Sequence, residues 1–259
     1  MSLINPKAPI LVTGASGYVA GWIVKKLLEA GHTVHATVRD PNKVSSVAHL
    51  QKIASASPGT LKLFKADLLD QGAFSVPMAG CELVIHTASP FVMTGFTDAN
   101  EALVRPALEG TRNVLEAVNA TESVRRVVLT SSVAATFGDS WDARDVPGSR
   151  LDETFWNTTS SVDHQPYLYS KTVAEQEAWA MQKAQHRWDL VCINPGLVVG
   201  PALTTNSISA SITTLQQFGD GTLAMGAPCM WNGLVDVRDV ADAHIIAGFK
   251  PEASGRYIL

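Results

Sequence analysis

One stretch near the amino terminus decides the fold: Ile10-Leu-Val-Thr-Gly-Ala-Ser-Gly-Tyr-Val-Ala20, followed by Gly21-Trp-Ile-Val24. The bare apolar run from Ile10 to Thr13 predicts a buried parallel strand. Gly14, Gly17 and Ala20 then recur three apart where a helix begins, which allows a tight turn and lets a pyrophosphate approach the N–H groups of the helix N-terminus. Glycines also serve ordinary turns, but the strand before and the helix after favour a nucleotide site.

Strand-like and helical patterns alternate through most of the chain. We expect further strands near 32–38, 61–65, 83–87, 127–131 and 190–194. We expect helices near 44–53, 100–118 and 167–183, with Pro106 kinking the second of these. Such β–α alternation predicts an α/β protein with a doubly wound parallel sheet, the Rossmann fold, whose ligands lie beyond the carboxyl ends of the strands.

The pattern divides the chain into two parts. Residues 1–195 are predicted to form the dinucleotide-binding Rossmann domain, to which 234–250 return. Residues 201–233 are rich in Ser, Thr, Gly and Pro, which is typical of a substrate-covering segment rather than of more sheet. We therefore assign 196–233 and 251–259 to a small substrate-binding lobe that we expect to be incomplete at its C-terminal end.

Composition excludes several classes of protein. A net charge of −4 and a pI near 6.0 do not support a nucleic-acid-binding face. The three cysteines, Cys81, Cys192 and Cys229, are widely separated and odd in number, so we expect neither a disulfide framework nor a metal site. No apolar run is long enough to span a bilayer, and we expect a cytoplasmic protein without membrane contact, a monomer or a homodimer.

Two positions bear on the choice of cofactor. Arg39 follows the second strand, where a guanidinium suits the 2′-phosphate of NADP and an acidic residue would suit the 2′-hydroxyl of NAD. Lys43 could add positive charge, whereas Asp40 could accept from a 2′-hydroxyl if the turn were shifted by one residue. Arg39 could also be a solvated surface residue, but after the glycine turn we favour NADP.

Two other strand ends carry candidate cofactor contacts. Asp67 could accept from the adenine amino group and Leu68 could cover the ring, although helix capping explains Asp67 almost equally well. Thr87, Ala88 and Ser89 follow the fourth strand, where small residues would let a dinucleotide pass.

The chemistry is indicated most sharply by Tyr167-Leu-Tyr-Ser-Lys171. Tyr167 and Lys171 are four apart and share one helix face. A nearby ammonium favours phenolate and lowers the phenol pKa, so the pair suits proton exchange with a carbinol oxygen. An amphipathic helix whose Tyr and Lys merely pack is the alternative. Ser131-Ser132, at the end of the fifth strand, could hold the substrate oxygen in the same cleft or cap the next turn.

Taken together these motifs identify a family. The chain resembles the extended short-chain dehydrogenase/reductases, in particular the dihydroflavonol 4-reductase-like branch, which includes fungal NADPH-dependent aldehyde and ketone reductases. The resemblance covers practically the whole chain and rests on Thr13-Gly-Ala-Ser-Gly17, Ala36-Thr-Val-Arg-Asp-Pro41, Lys65-Ala-Asp-Leu68, Leu129-Thr-Ser-Ser132, YLYSKTVAEQEAW from Tyr167 to Trp179, and Asn194-Pro-Gly-Leu-Val-Val-Gly-Pro201.

The resemblance implies a catalytic triad of Ser132, Tyr167 and Lys171. It also implies a set of residues around NADP(H), to which Tyr167 and Lys171 belong as well: Gly14, Ala15, Ser16, Gly17, Tyr18, Val19, Arg39, Asp67, Leu68, Thr87, Ala88, Ser89, Pro195, Gly196, Leu197 and Val198. Family members usually continue for several tens of residues beyond this chain's last position.

Some positions depart from the family pattern. Ala20 replaces a third glycine, and a second basic residue of the family would fall at Ser46, for which Lys43 could substitute. Phe137 stands where the flavonoid enzymes have an Asn, and the Asn-Trp-Tyr-Cys-Tyr signature of cinnamoyl-CoA reductases is absent around Tyr167. Neither plant substrate is therefore expected.

The sequence predicts an NADPH-dependent reductase of aldehydes or ketones, with Tyr167 as the proton donor. Six residues could line an apolar substrate pocket or be plain core: Phe91, Val92, Phe137, Trp156, Met225 and Trp231. The alternatives are a nucleotide-sugar epimerase or dehydratase with tightly bound NAD, and a non-catalytic sensor that binds the dinucleotide to regulate a partner.

Overall fold

The computed structural model describes residues 4–89, 96–144, 146–204, 209–226 and 233–259. The strands within these ranges are β1 (Ile10–Thr13), β2 (Thr33–Val38), β3 (Thr60–Lys65), β4 (Leu83–His86), β5 (Arg126–Thr130), β6 (Asp189–Asn194), β7 (Leu197–Val199), β8 (Leu234–Asp236) and β9 (Gly255–Ile258). The α-helices are α1 (Tyr18–Glu29), α2 (Val44–Ser55), α3 (Ser75–Met78), α4 (Arg105–Ala120), α5 (Pro166–Lys183), α6 (Ala210–Gln217) and α7 (Val237–Phe249).

The described strands form a central parallel sheet of seven, in the order β3-β2-β1-β4-β5-β6-β9, and a separate parallel pair, β7 and β8. In β1, Leu11 lies opposite His35 of β2 on one side and Val84 of β4 on the other. The strand order reverses between β1 and β4, and in such sheets the ligand crevice opens at that point. The doubly wound Rossmann fold expected from the sequence is confirmed.

Helices cover both faces of the sheet because its middle strands are apolar on both sides. Every residue of β1 and β4 is buried, as expected of parallel strands. One core cluster packs α1, α2 and α7 against the sheet, and the other packs α3, α4 and α5 against the opposite face. The first residue of α1, Tyr18, and the first turn of α5, with Tyr167, nevertheless line one cleft.

Two expectations need correction. Residues 255–258 belong to the central sheet, where β9 pairs with β6 through Ile193 and Tyr257, and not to the substrate lobe. The predicted long helix from residue 100 begins with a π-helical turn, Asn100–Val104, and becomes an α-helix at Arg105. Pro106 is the second residue of α4 and directly follows the π-helical turn, so its missing N–H falls where the π-helical turn gives way to the α-helix.

Within the described part of the chain, no helix combines the length and the apolarity needed to cross a bilayer. The same residues contain no group of three or more His, Cys, Asp or Glu side chains that could hold a metal ion. Cys81 and Cys192 are buried thiols outside any disulfide, and Cys229 lies outside the described residues.

Candidate active site

The glycine turn after β1 brings two strand ends into close contact. Gly14 has φ of +65°, and a Cβ at this position would lie 3.0 Å from both Cα and Cβ of Ala88. Ala15 N–H donates to the Thr37 carbonyl (2.9 Å), which ties the turn to β2. Gly17 is the N-cap of α1 and has no side chain to engage the N–H groups of the first turn, an arrangement that suits an anionic ligand. The turn therefore fits a dinucleotide pyrophosphate.

A buried hydroxyl fixes the loop after β4. Thr13 Oγ1 accepts from Thr87 N–H (3.1 Å) and Ala88 N–H (3.0 Å), and lies 2.8 Å from His86 Nδ1. Burial, and secondarily the charge of Lys171, lower the pKa of His86 to about 3. His86 is therefore neutral, and because the threonine oxygen already accepts two hydrogen bonds, its own hydrogen is donated to Nδ1. The loop after β4, which faces the glycine turn, is therefore fixed by hydrogen bonds to the buried Thr13 side chain.

A cleft of about 220 Å³ opens between the glycine turn, the strand ends and α5. The sequence-predicted site residues that line it are Gly14, Gly17, Tyr18, Val19, Thr87, Ser89, Ser132, Tyr167, Lys171, Pro195, Gly196 and Val198. The proposed cofactor turn and the proposed catalytic residues thus meet in one cavity.

The same cleft is lined by Ala20 and Ser131, which belong to the predicted glycine turn and Ser-Ser pair, and by three residues that the sequence did not indicate: Thr130, Ser209 and Ser211. Thr130 precedes the singled-out Ser131-Ser132 pair at the end of β5, so its position could have been inferred from that strand. Ser209 caps α6 by accepting from Ile212 N–H (3.1 Å). Its place in the cleft depends on how α6 packs, for which the sequence offers no local signal.

Several other residues that were predicted to contact the cofactor do not line the cleft. Ala15 is fully buried in the core, and Ser16 and Leu197 do not line the described cleft. Leu68 and Ala88 line a smaller cavity of about 20 Å³, which shares Lys171 with the cleft.

The polar positions proposed to read the adenosine half are exposed or engaged in their own turns. Arg39 and Lys43 are exposed, directly after β2 and just before α2. Asp40 Oδ1 accepts from Asn42 N–H (2.9 Å), so this carboxylate stabilises its own turn. Asp67 Oδ1 accepts from Leu69 N–H (3.0 Å) within a turn and not at a helix N-terminus, since the next helix, α3, begins at Ser75.

The predicted apolar substrate pocket is not assembled by the described residues. Met225 is fully exposed, with a relative accessibility of 101%, and neither Phe137 nor Trp156 lines the described cleft. Trp156 instead stacks on the guanidinium of Arg256, 4.0 Å from the ring centroid. Phe91, Val92 and Trp231 lie outside the described residues.

The start of α5 presents Tyr167 and Lys171 to the cleft. Pro166 occupies the first helical position, where a fixed φ and a missing N–H are favourable. One helical turn separates Tyr167 from Lys171, and the Lys171 Nζ lies 5.7 Å from the Tyr167 ring centroid. Lys171 donates to Ser89 Oγ (2.7 Å) and so joins α5 to the loop after β4.

Burial decides the protonation of this pair. It raises the pKa of Tyr167 and lowers the pKa of Lys171 to about 8. We expected the ammonium to lower the phenol pKa, and in this structure that expectation is wrong. The physical reason is that desolvation disfavours both charged forms, while the Lys171 amino group is engaged with Ser89. Tyr167 is therefore a neutral phenol at neutral pH.

Ser132 both caps a turn and faces the cleft. It is the N-cap of the 3₁₀ turn Val133–Ala135, and its Oγ accepts from Ala134 N–H (3.1 Å). A hydroxyl has two lone pairs and one hydrogen, so the hydrogen can be donated to a carbonyl oxygen in the cleft. The capping role and the proposed catalytic role are compatible.

A glycine-turn dinucleotide fold with a Ser, a Tyr and a Lys in its cleft defines a class, the short-chain dehydrogenases/reductases. A model of the NAD dependent epimerase/dehydratase family matches residues 10–258. The chain belongs to that family, and within it to the dihydroflavonol reductase-like branch of the extended short-chain dehydrogenases/reductases. The resemblance inferred from the motifs is confirmed, and the chain is an oxidoreductase.

Two curated relatives and one solved structure with substantial coverage of this chain are reductases. A cinnamoyl-CoA reductase of Medicago truncatula, CAD2, is 42% identical and covers 100% of this chain and 78% of its own length. Cinnamoyl-CoA reductase 1 of Petunia hybrida is 43% identical over 96% of this chain and 71% of its own. Among solved structures, yeast methylglyoxal/isovaleraldehyde reductase Gre2 complexed with NADPH matches with a TM-score of 0.80 at 26% identity, covering 97% of this chain and 77% of that one.

Proposed function

We propose that this protein is an NADPH-dependent reductase that transfers hydride to a small aldehyde or ketone, with Tyr167 as the proton donor. One observation carries the proposal: a single cleft is lined by Gly14 and Gly17 of the glycine turn and by Ser132, Tyr167 and Lys171. The relatives described above support reduction over epimerisation, and Gre2 was solved with NADPH.

The residues present fit NADP(H). Gly14 leaves room for a close backbone approach that a Cβ would block against Ala88, and Gly17 opens the N-terminus of α1 to a pyrophosphate. Arg39 is exposed at the end of β2, where its fork of N–H donors can bind a 2′-phosphate bidentately. Lys43, on the following turn, adds a second positive charge.

Each catalytic side chain has a definite task. When bound, NADPH supplies the hydride that the carbonyl carbon receives. Ser132 donates a hydrogen bond to the carbonyl oxygen and fixes its orientation. Tyr167, kept protonated by its raised pKa, transfers the phenolic proton to that oxygen as it becomes an alkoxide. Lys171 holds the nicotinamide ribose and, through Ser89, the loop after β4.

The proposed substrate is a small carbonyl compound and not one of the larger plant substrates. Phe137 occupies the position at which the flavonoid enzymes bind polyphenol through an Asn, and the cinnamoyl-CoA reductase signature is absent around Tyr167. A cytoplasmic location and assembly as a monomer or homodimer stay predictions.

The test is to follow NADPH absorbance against a panel of aldehydes, diketones, aryl ketones and cinnamoyl-CoA, with NADH in parallel. We expect oxidation of NADPH by one or more small carbonyl compounds and slower turnover with NADH. Purified protein that retains NAD and consumes no NADPH would instead indicate an epimerase or dehydratase. Dinucleotide binding without turnover across the panel would indicate a regulatory sensor.

A further inference from the structure

A buried carboxylate lies one helical turn beyond Lys171. Glu175 on α5 is 1% exposed, and both of its oxygens are engaged. Oε2 accepts from Ser131 Oγ (2.5 Å) and from Asn194 Nδ2 (2.8 Å). Oε1 accepts from Arg256 Nε (2.6 Å) and from Trp179 Nε1 (3.2 Å). The carboxylate therefore joins α5 to the ends of β5 and β6 and to β9.

The network reaches Ser132 by two routes. Asn194 Nδ2 also donates to the backbone carbonyl of Ser132 (3.0 Å), and Ser131, which bonds Glu175, directly precedes Ser132 in the chain. Both Asn194 and Ser131 are buried, at 0% and 8% exposure. The backbone that carries the Ser132 hydroxyl is thus fixed from both sides by groups that end on one carboxylate.

Arg256 extends the network to a second segment, residues 153–156. Its Nη1 donates to the carbonyls of Glu153 (3.0 Å) and Phe155 (2.5 Å), and its Nη2 donates to Ala135 (3.2 Å). The guanidinium lies 4.0 Å from the ring centroid of Trp156. One side chain therefore holds residues 153–156 against the 3₁₀ turn that follows Ser132.

Building on the proposed function, we infer that Glu175 and Arg256 are positioning residues for the reduction: their buried ion pair holds the Ser132 backbone and the segment 153–156 in the geometry that turnover requires. A buried ion pair is weak evidence for stability, because desolvation of two charges offsets much of their attraction. Directed hydrogen bonds that tie the turn after Ser132 to residues 153–156 are what hydrophobic replacements of the same size would not provide.

The chain contains a matched control for this pair. Arg126, at the start of β5, is 1% exposed and pairs with Asp189 through two bonds of 2.8 Å. It also donates to the carbonyls of Ala247 (2.8 Å) and Lys250 (2.6 Å) at the end of α7. Arg126 is thus a buried, paired and carbonyl-binding arginine like Arg256, but it lies at the opposite end of the parallel strands from the cleft.

The experiment compares Arg256→Met and Glu175→Gln with Arg126→Met in the full chain. For each variant we would measure the melting temperature, the Kd for NADPH, kcat and KM, and amide hydrogen exchange by segment. Arg256→Lys is the milder variant, which keeps the charge but not the fork of donors. If Arg256→Met does not fold, Arg256→Lys tests the inference in its place.

We expect the Arg256 and Glu175 variants to lose kcat by about 10- to 100-fold, the cost of misplacing a reacting group by roughly 1 Å, with NADPH Kd unchanged. Amide exchange should accelerate selectively in residues 131–136 and 153–157. Arg126→Met should lower the melting temperature but leave kcat and the amide exchange of these two segments unchanged. Arg256→Lys should lie between wild type and Arg256→Met in kcat.

Two results would overturn the inference. One is an Arg256 variant, Met or Lys, that loses melting temperature but keeps wild-type kcat and wild-type exchange in both segments. The other is a loss of kcat that Arg126→Met reproduces. Failure of the wild-type protein to reduce any carbonyl compound would count against the proposed function instead, and the exchange data would still decide whether the ion pair orders these segments.

Discussion

Burial moves the pKa values of Tyr167 and Lys171 in opposite directions, and both shifts favour the neutral side chain. For Tyr167 the result is a phenol that stays protonated through the neutral range and can act as an acid in carbonyl reduction. The reverse reaction, alcohol oxidation, needs the phenolate and should be favoured at alkaline pH.

The lowered pKa of Lys171 predicts a pH dependence of cofactor binding. Its ammonium is present below about pH 8 and is lost as the pH rises through that value. Since the charged form would hold the nicotinamide ribose, we expect NADPH to bind more weakly above pH 8 than below it. Fluorescence titration of NADPH between neutral and alkaline pH measures this, and Lys171→Met should abolish the inflection. A wild-type Kd that does not change across this range would contradict the assigned role.

The position of Arg39 predicts that the enzyme prefers NADPH, which carries a 2′-phosphate, over NADH. Hydrogen bonds to a charged partner contribute about 1.5–3 kcal/mol, so Arg39→Ala should raise the KM for NADPH by about 10- to 100-fold. The KM for NADH should change little, because NADH lacks the 2′-phosphate. Lys43→Ala should have a smaller effect of the same sign.

Lys52 provides the control for Arg39, since it is an exposed cation in the last turn of α2. Lys52→Ala should leave both KM values at wild type. Equal losses for NADPH and NADH in Arg39→Ala would mean that Arg39 does not bind the 2′-phosphate.

At the residue scale, the sequence could predict what depends on local spacing. Tyr167 and Lys171 are four apart on one helix, so their meeting in the cleft follows from helix geometry alone. The Glu175–Arg256 pair joins positions 81 residues apart, and nothing local to either residue indicates the other. The pKa of Tyr167 was also beyond sequence reasoning, because it depends on burial and on the engagement of Lys171 with Ser89.

At the scale of elements, we predict that a substitution in the glycine turn after β1 changes thermal stability and NADPH binding for two separate reasons. Gly14→Ala forces a left-handed backbone on a residue with a Cβ, at a cost of about 1–2 kcal/mol, and brings that Cβ to 3.0 Å from Ala88. We expect lower thermal stability together with markedly weaker NADPH binding, because the loop after β4 must move. Thermal melting and NADPH titration measure the two effects separately.

Gly31→Ala is the matched control. Gly31 also has a positive φ, +85°, at the end of α1, but nothing lies within 4 Å of the position its Cβ would occupy. It should lose similar stability and keep wild-type NADPH affinity. Comparable weakening of NADPH binding in both variants would show that backbone strain, and not the contact with Ala88, limits the turn.

The elements that the sequence predicted well are those whose pattern is self-contained. The observed β1, β4 and β6 each contain an unbroken run of at least three apolar residues, and their predicted positions, like that of β2, differ by only a residue or so. Strand β9 was assigned to the wrong part of the molecule because its place depends on pairing with β6, about 60 residues earlier along the chain. The π-helical turn before α4 likewise has no distinctive residue pattern.

At the scale of the whole molecule, the position of the site follows from the strand order. The reversal between β1 and β4 opens the crevice where the glycine turn, the loop after β4 and the start of α5 meet. Alternation of strands and helices was enough to predict this fold and the edge of the sheet that carries the site. The residues that line the substrate pocket could not be predicted in the same way, because they belong to connecting segments without periodic patterns. Met225 and Trp156, which were predicted to line that pocket, lie elsewhere.

The most direct test of the proposed mechanism removes one atom, the phenolic oxygen of Tyr167. Tyr167→Phe should bind NADPH with wild-type affinity and lose about 100- to 10,000-fold in carbonyl reduction, the usual contribution of a positioned general acid. Tyr169→Phe, two residues along the same helix and outside the described cleft lining, should retain wild-type turnover. If Tyr167→Phe instead reduces the same carbonyl substrate at the wild-type rate, Tyr167 is not the proton donor and the proposed mechanism is wrong.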